Sequence, residues 1–291
     1  MDKKFTETLI ELLSNAVKKE CKKEPRVGIV LSGGIDSTLI AIIASKFTEV
    51  TAYTYGIKGS PDFEYADKLK KEVDFNIKIQ ELNSKDIEGF LPKIIKAINN
   101  TNPVKVSVEV PFYYASKKAR EDFIGVMLCG QGADELFGGY KRYIDILARD
   151  GYGGVERVIK RDVENIWIEQ LDYDHKVCSL NRIDLRFPYM DTKFSEHAMQ
   201  IPVELKIYES DEFECIDSIC GKKFVRKYIL RKVAQEVGVP PSIINRKKKA
   251  AQYGSGAWKI LEKIAREKNF KKRAREIGRT DYVNMFLESI V

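Results

Sequence analysis

The tightest constraint on this chain is a single junction. Residues 26–31 (RVGIVL) read as a buried strand and run into Ser32-Gly33-Gly34-Ile35-Asp36-Ser37-Thr38, where a helical pattern opens. A strand that breaks at glycines and restarts as a helix begins a βαβ unit, and such units build parallel sheets. Two adjacent glycines let the backbone adopt unusual dihedrals and approach a ligand closely. The first turn of the helix presents N–H groups and a positive dipole end, which together favour an anion such as phosphate. Ser32, Ser37 and Thr38 add hydroxyl donors.

The pattern around this junction repeats its logic. A helix over residues 5–21 places Phe5, Leu9, Leu12, Leu13, Ala16 and Val17 on one face. Residues 50–55 (VTAYTY), 76–81 (NIKIQE) and 124–129 (IGVMLC) read as further strands. Helices are expected after Gly34, from Ser60-Pro61-Asp62 with Ser60 as cap, over residues 85–99, and after Pro111. This implies an α/β fold: a parallel sheet with helices on both faces. From about Tyr140 strand signals nearly vanish, and residues 155–171 and 222–237 read as helices. The expected division is an α/β core over residues 1–140, then a helical C-terminal region, 141–291, packed on the core and completing the active site.

Composition narrows the function classes. Hydrophobic residues make up 44% of the 291, enough for a core. Charged residues reach 32%, above the usual quarter, with Lys and Glu foremost, a balance of the thermophilic kind. A net charge of +7 is a mild excess that suits an anionic small molecule and does not favour a dedicated nucleic-acid binder. No apolar run approaches the roughly 18 residues of a membrane span. The start, Met1-Asp2-Lys3-Lys4, is no signal core, so a cytoplasmic protein is expected. Five cysteines point to reduced thiols.

Asp36 refines the phosphate reading. A carboxylate beside a phosphate cradle repels it unless a cation intervenes, and Mg²⁺ resolves the conflict. The loop also lacks the Walker A lysine. A second motif, Gly130-Gln131-Gly132-Ala133-Asp134-Glu135-Leu136-Phe137-Gly138-Gly139-Tyr140, follows the strand at 124–129. Ligands of open parallel sheets bind at the strands' carboxyl ends, so both loops face one crevice and Asp134 can join Asp36 on Mg²⁺.

Together the two motifs closely resemble the synthetase domain of asparagine synthetase B, shared with β-lactam synthetase. These are ATP-pyrophosphatases of the PP-loop type, with an adenine nucleotide α-hydrolase-like fold. The resemblance continues through Tyr55-Gly56 to Ser60-Pro61-Asp62, Pro111-Phe112-Tyr113-Tyr114-Ala115-Ser116-Lys117, Leu185-Arg186-Phe187-Pro188-Tyr189-Met190-Asp191 and Asn245-Arg246-Lys247-Lys248. It implies cleavage of ATP between the α- and β-phosphates, adenylation of a carboxylate such as aspartate, and amide formation with ammonia or an amine. By the same resemblance, Leu31, Tyr55, Cys129 and Gly130 contact adenosine. Ser32, Gly33, Gly34, Asp36, Ser37 and Thr38 form the pyrophosphate loop, and Asp36 and Asp134 hold Mg²⁺. Lys248, with Arg246 beside it, stabilises charge during adenylation and nitrogen attack. Taken alone, residues 246–249 read as a solvated basic run.

The departures carry information. Gln131 stands where relatives often have a carboxylate; it takes no proton at neutral pH but can orient a substrate. Val106-Ser107-Val108-Glu109 replaces an Arg suited to a substrate carboxylate, which weakens the signal for aspartate. The family's glutaminase needs an N-terminal Cys, and too few residues precede Ser32 for another domain. Nitrogen is therefore expected from free ammonia, a separate glutaminase subunit or an amine substrate.

Other features are read more plainly. Cys178, Cys215 and Cys220 fit buried or incidental thiols better than a metal site or sulfur relay. The relay would suit a second reading, in which the loop adenylates a tRNA base or another acceptor. A third reading is a non-catalytic nucleotide-binding subunit. His175 and His197 read as structural. Tyr140 and Tyr143 fit pocket or core equally. Residues 222–232 read as a basic helix with Phe224, Val225, Tyr228 and Ile229 turned to the core, its other face solvated by default and RNA or a partner subunit as the sharper option.

Overall fold

A computed structural model describes residues 2–247 and 251–290. The chain opens with α1 (Asp2–Glu20), β1 (Arg26–Val30), α2 (Ile35–Ala44), β2 (Glu49–Gly56), α3 (Pro61–Leu69) and β3 (Asn76–Glu81). Then come α4 (Ser84–Ile98), α5 (Pro103–Glu121), β4 (Val126–Leu128), α6 (Ala133–Phe137), α7 (Lys141–Ile166), a π-helical turn (Trp167–Leu171), α8 (Asp172–Ser179) and β5 (Asp184–Arg186). A 3₁₀ turn (Pro188–Met190), α9 (Thr192–Gln200), α10 (Val203–Lys206), β6 (Ile207–Glu209), β7 (Ile216–Ile219) and β8 (Lys222–Arg226) follow. The chain closes with α11 (Tyr228–Val237), α12 (Pro241–Ile244), α13 (Ala251–Gly254), α14 (Ala257–Glu267), α15 (Phe270–Glu276) and α16 (Tyr282–Glu288).

Five parallel strands form the main sheet in the order β3-β2-β1-β4-β5. The order reverses at β1: β2 and β3 lie on one side, β4 and β5 on the other. Crevices for ligands open at such switch points, outside the carboxyl ends of the strands. Side chains alternate across the sheet as a strand's period of two requires. Val27, Ile29, Leu31 and Leu128 pack with α1, α2 and α11, while Tyr53, Tyr55, Met127 and Leu185 pack with α4, α5 and α14. Both faces are covered, as an all-parallel sheet demands.

The structure departs from the sequence reading in four places. The helix expected after Pro111 starts at Pro103, capped by Asn102, whose Oδ1 accepts from the Val104 and Lys105 amides; Pro111 lies inside it. Ser60 occupies the cap position of α3, but its hydroxyl makes no capping bond. Residues 222–226 are not helix but β8, the centre of an antiparallel sheet ordered β6-β8-β7. Phe224 and Val225 are buried from a strand, and the helix begins only at Tyr228. Lastly, residues 184–186 add a fifth strand to the main sheet. Three residues are too few for periodicity to reveal, and only pairing with β4 makes them a strand.

Candidate functional site

The site lies at the carboxyl ends of β1, β2 and β4. A cleft there is lined by Leu31, Ser32, Gly34, Asp36 and Ser37 from the first loop, Tyr55 from β2, and Cys129, Gly130, Gln131 and Asp134 from the second. The sequence motifs thus converge on one cavity. Gly33 belongs to the same loop and Thr38 to the first turn of α2; neither lines the cleft. Arg246 also reaches the cleft, whereas Lys248 lies outside the described residues.

Local bonds shape the first loop. The Ser32 amide donates to Ser37 Oγ at 3.2 Å and the Gly34 amide to Ser32 Oγ at 3.3 Å. Arg246 Nη1 donates to the Ser32 carbonyl at 2.6 Å, Nη2 pairs with Asp62 at the start of α3, and the guanidinium lies 4.5 Å from the Tyr65 ring centroid. Arg246 thereby ties the loop to the C-terminal region. The second loop approaches the first without a side chain between them. A Cβ on Gly130 would stand 2.7 Å from the Ser37 amide nitrogen and 2.8 Å from Asp36 Cβ, so only glycine allows the contact.

Lys227 decides the electrostatics. Its Nζ lies 2.7 Å from both Asp36 oxygens and 2.7 Å from Asp134 Oδ1, with its side chain 2% exposed. Gly139 makes room, since a Cβ there would collide with Asp134 Oδ1 and Lys227 Cε. Lys227 sits between β8 and α11 with φ at +56°, the left-handed region, so the strand-to-helix turn aims its side chain into the cleft. Two carboxylates from separate loops thus face one cation. Their hard oxygen donors beside the glycine loop also suit Mg²⁺.

The Tyr55 side of the cleft is aromatic. Tyr55 stacks on Tyr114 with ring centroids 5.2 Å apart and 16° between planes. Burial raises the hydroxyl pKa of both rings beyond the ordinary tyrosine range. Cys129, fully buried, is held as a neutral thiol by the same desolvation.

Some expected residues stand elsewhere. Tyr140 donates to Glu135 at 2.6 Å and Tyr143 to Asp162 at 2.7 Å; neither lines the cleft. Cys178 and Cys215 belong to different core clusters and Cys220 is exposed on the turn between β7 and β8. Among the described residues, no three His, Cys, Asp or Glu side chains gather as a metal-binding group.

Sequence reasoning missed Lys227, Glu109 and Asp174. Lys227 was hidden in a basic run, where nothing marks one lysine as buried. Glu109 and Asp174, 65 positions apart in the chain, meet only because α8 packs on α5. Gln131 Nε2 donates to Asp174 Oδ2 at 2.9 Å, and Gln170 Nε2 donates to Asp174 Oδ1 at 2.8 Å and toward Glu109 Oε1 at 3.4 Å. Burial pushes the Asp174 carboxyl up to about 7 and holds Glu109 well above the usual carboxylate range.

A family model described as asparagine synthase matches residues 8–155 and 147–289. The chain belongs to the asparagine synthase family. The putative asparagine synthetase [glutamine-hydrolyzing] 1 of Methanocaldococcus jannaschii is 36% identical over 285 residues, covering 92% of this chain and 52% of that protein. The human asparagine synthetase [glutamine-hydrolyzing] is 25% identical over 265 residues, covering 86% and 44%. The chain therefore spans about half the length of the curated relatives it matches. Among solved structures, the NMN synthetase of Francisella tularensis overlaps 99% of this chain and 87% of its own, with TM-score 0.45 and 16% identity. Within the chain, the SGGIDST and GQGADELFGGY motifs meet at the carboxyl ends of the parallel sheet.

Proposed function

We propose that this chain makes an amide at the expense of ATP, releasing AMP and diphosphate through an acyl-adenylate. One observation carries the reading: Asp36 and Asp134, from two separate glycine loops, converge on Lys227 at the floor of the cleft. With a divalent cation on the two carboxylates, this cluster suits a triphosphate, whose oxygens would meet the Ser32–Ser37 loop and the N-terminus of α2. Mg²⁺ on Asp36 and Asp134, when bound, neutralises phosphate charge and stabilises the departing diphosphate.

In this proposal Leu31, Tyr55, Cys129 and Gly130 hold the adenosine. Ser32, Gly33, Gly34, Ser37 and Thr38 hold the β- and γ-phosphates. An aspartate-like carboxylate attacks the α-phosphate. Lys227 and Lys248 offset the charge that builds on phosphate, which is where fixed cations lower a barrier most. Arg246 fixes the loop geometry from the C-terminal region. Residues 141–291 thus complete a site that residues 1–140 begin. Ammonia or an amine then displaces AMP.

The nitrogen comes from ammonia, free or released by a glutaminase, or from an amine substrate. The relatives are named for glutamine hydrolysis, and the match covers only about half their length. A cytoplasmic site of action fits reduced cysteines; no described helix is long and apolar enough to cross a membrane.

The test is diphosphate release from Mg²⁺–ATP with aspartate and ammonium, against Asp36→Ala. Release with equal AMP and asparagine, lost in the variant, is the expected result. Absence of release across a broad panel of acids and amines, alone and with glutaminase added, overturns the reading.

A further inference from the structure

A buried carboxyl pair stands directly behind the cleft, and the chemistry above does not use it. Glu109 on α5 and Asp174 on α8 are both fully buried and within hydrogen-bonding reach of one another. Hydrogen-bond accounting locates the proton between them. Asp174 accepts at both oxygens, from Gln131 at Oδ2 and from Gln170 at Oδ1. A proton on either atom would compete with an amide donor already there. Glu109 Oε1 accepts the weaker bond from Gln170, while its buried Oε2 meets no donor. A proton on Oε2, donated to Asp174, satisfies every group. Glu109 therefore carries the proton and Asp174 the charge. Two carboxyls this close cannot both ionise in a buried site.

The consequence reaches Gln131. An ionised Asp174 accepts only, so it compels the Gln131 amide to present its NH₂ inward. No described side chain donates to Gln131 Oε1, and Gln131 lines the cleft. We propose that Glu109 and Asp174 form a one-proton acid pair that locks the Gln131 amide with Oε1 toward the cleft, as acceptor for an N–H of the attacking nitrogen. Glu109 and Asp174 are positioning residues, and Gln131 is the group that touches the nucleophile. The assignment rests on the amide-synthesis reading above.

The nitrogen lone pair forms the C–N bond and the bond from acyl carbon to the phosphate oxygen breaks. AMP leaves with that pair, and the surplus ammonium proton passes to the departing phosphate. Gln131 takes no proton; it aligns the N–H and favours the positive charge growing on nitrogen. The Asp174 charge behind it acts in the same sense through a medium of low dielectric.

Other groups face the pair. Lys105 on α5 is the nearby cation, and Glu135 on α6 is a further anion. The Cys129 and Cys178 thiols, kept neutral by burial, lie close by. From α4 and β5, packing on α8 is supplied by the apolar cluster that holds Ile94, Ile98, Val177 and Leu185.

Carboxyl-labelled ¹³C NMR on the intact chain tests the pair without turnover, with Glu109→Gln and Asp174→Asn spectra to assign the signals. One carboxyl is expected to ionise near neutral pH while the other stays protonated above it. Gln131→Leu, which removes a donor to Asp174, should move the first transition to higher pH. Two carboxyls that both ionise below pH ~5, as exposed ones do, or a Gln131→Leu spectrum that titrates like the wild type, overturns the proposal. The kinetic arm reads amide formed per diphosphate released. Loss of one charge-assisted hydrogen bond corresponds to about tenfold, so Asp174→Asn should lower that ratio about tenfold in favour of acid returned by hydrolysis, with KM for ATP little changed. An unchanged ratio also overturns it. If no acid supports diphosphate release at all, the amide reading fails, and the spectra still decide whether the pair exists and grips Gln131.

Discussion

Replacing Lys227 by methionine removes the ammonium shared by Asp36 and Asp134 while nearly keeping its volume. The side chains of the three residues are 2%, 11% and 8% exposed, and the contacts are 2.7 Å each. Breaking a buried ion pair from one side costs about 3–5 kcal/mol, because the desolvated partner stays behind. Here one cation serves two carboxylates, so its removal takes the shared ammonium from both. A loss of roughly 4 kcal/mol is expected in metal-free buffer, with little packing penalty from the near-isosteric methionine. At about 2 °C per kcal/mol for a chain this size, the melting temperature falls by roughly 8 °C. Mg²⁺ supplies the missing positive charge, so adding it should restore more stability to the variant than to the wild type. The assay is thermal melting of both proteins in EDTA and across a Mg²⁺ titration. A variant within about 1 kcal/mol of wild type in EDTA, the range of an exposed pair, would refute the reasoning. So would an equal Mg²⁺ response in both proteins.

Two further substitutions probe other features. Gly130→Ala places a methyl 2.7 Å from the Ser37 amide nitrogen, so the two loops must part; stability should fall by about 1–3 kcal/mol, and calorimetric ATP affinity should drop with it. Lys206 on α10 is nearly fully buried, and desolvation lowers its pKa to about 8. Between that value and the unfolded lysine value near 10.4 the unfolded chain holds the extra proton, so wild-type stability rises with pH across that window, by about 1.4 kcal/mol per unit at most. Lys206→Met should therefore stabilise the protein at pH 7 and lose that advantage toward pH 10. Urea unfolding at pH 7 and pH 10 checks it, and an advantage equal at both values would exclude the desolvation account.

The α/β core was legible because its signals are local. β1, the glycine loop and α2 are contiguous, and their spacing reports strand, turn and helix within about twenty residues. Pairing the two loops into one cleft also followed, since parallel strands send their carboxyl ends the same way. The C-terminal region was harder to read. Residues 222–226 carry the same basic and apolar mixture as the helix after them, and their strand character depends on β6 and β7 lying alongside. α5 was placed too late because Pro111 resembles a helix start, whereas Asn102-Pro103 is the true one.

Sequence alone determined the glycine loop after β1, the carboxylates Asp36 and Asp134, and the parallel sheet that aims them at one crevice. Each of these is a property of neighbouring residues or of strand direction. Tertiary structure decided which lysine meets those carboxylates and which acids stand behind Gln131. Lys227 lies 191 positions from Asp36, and Glu109 lies 65 from Asp174. Burial and charge pairing over such separations depend on how helices and hairpins pack on the sheet, and no local pattern encodes that packing.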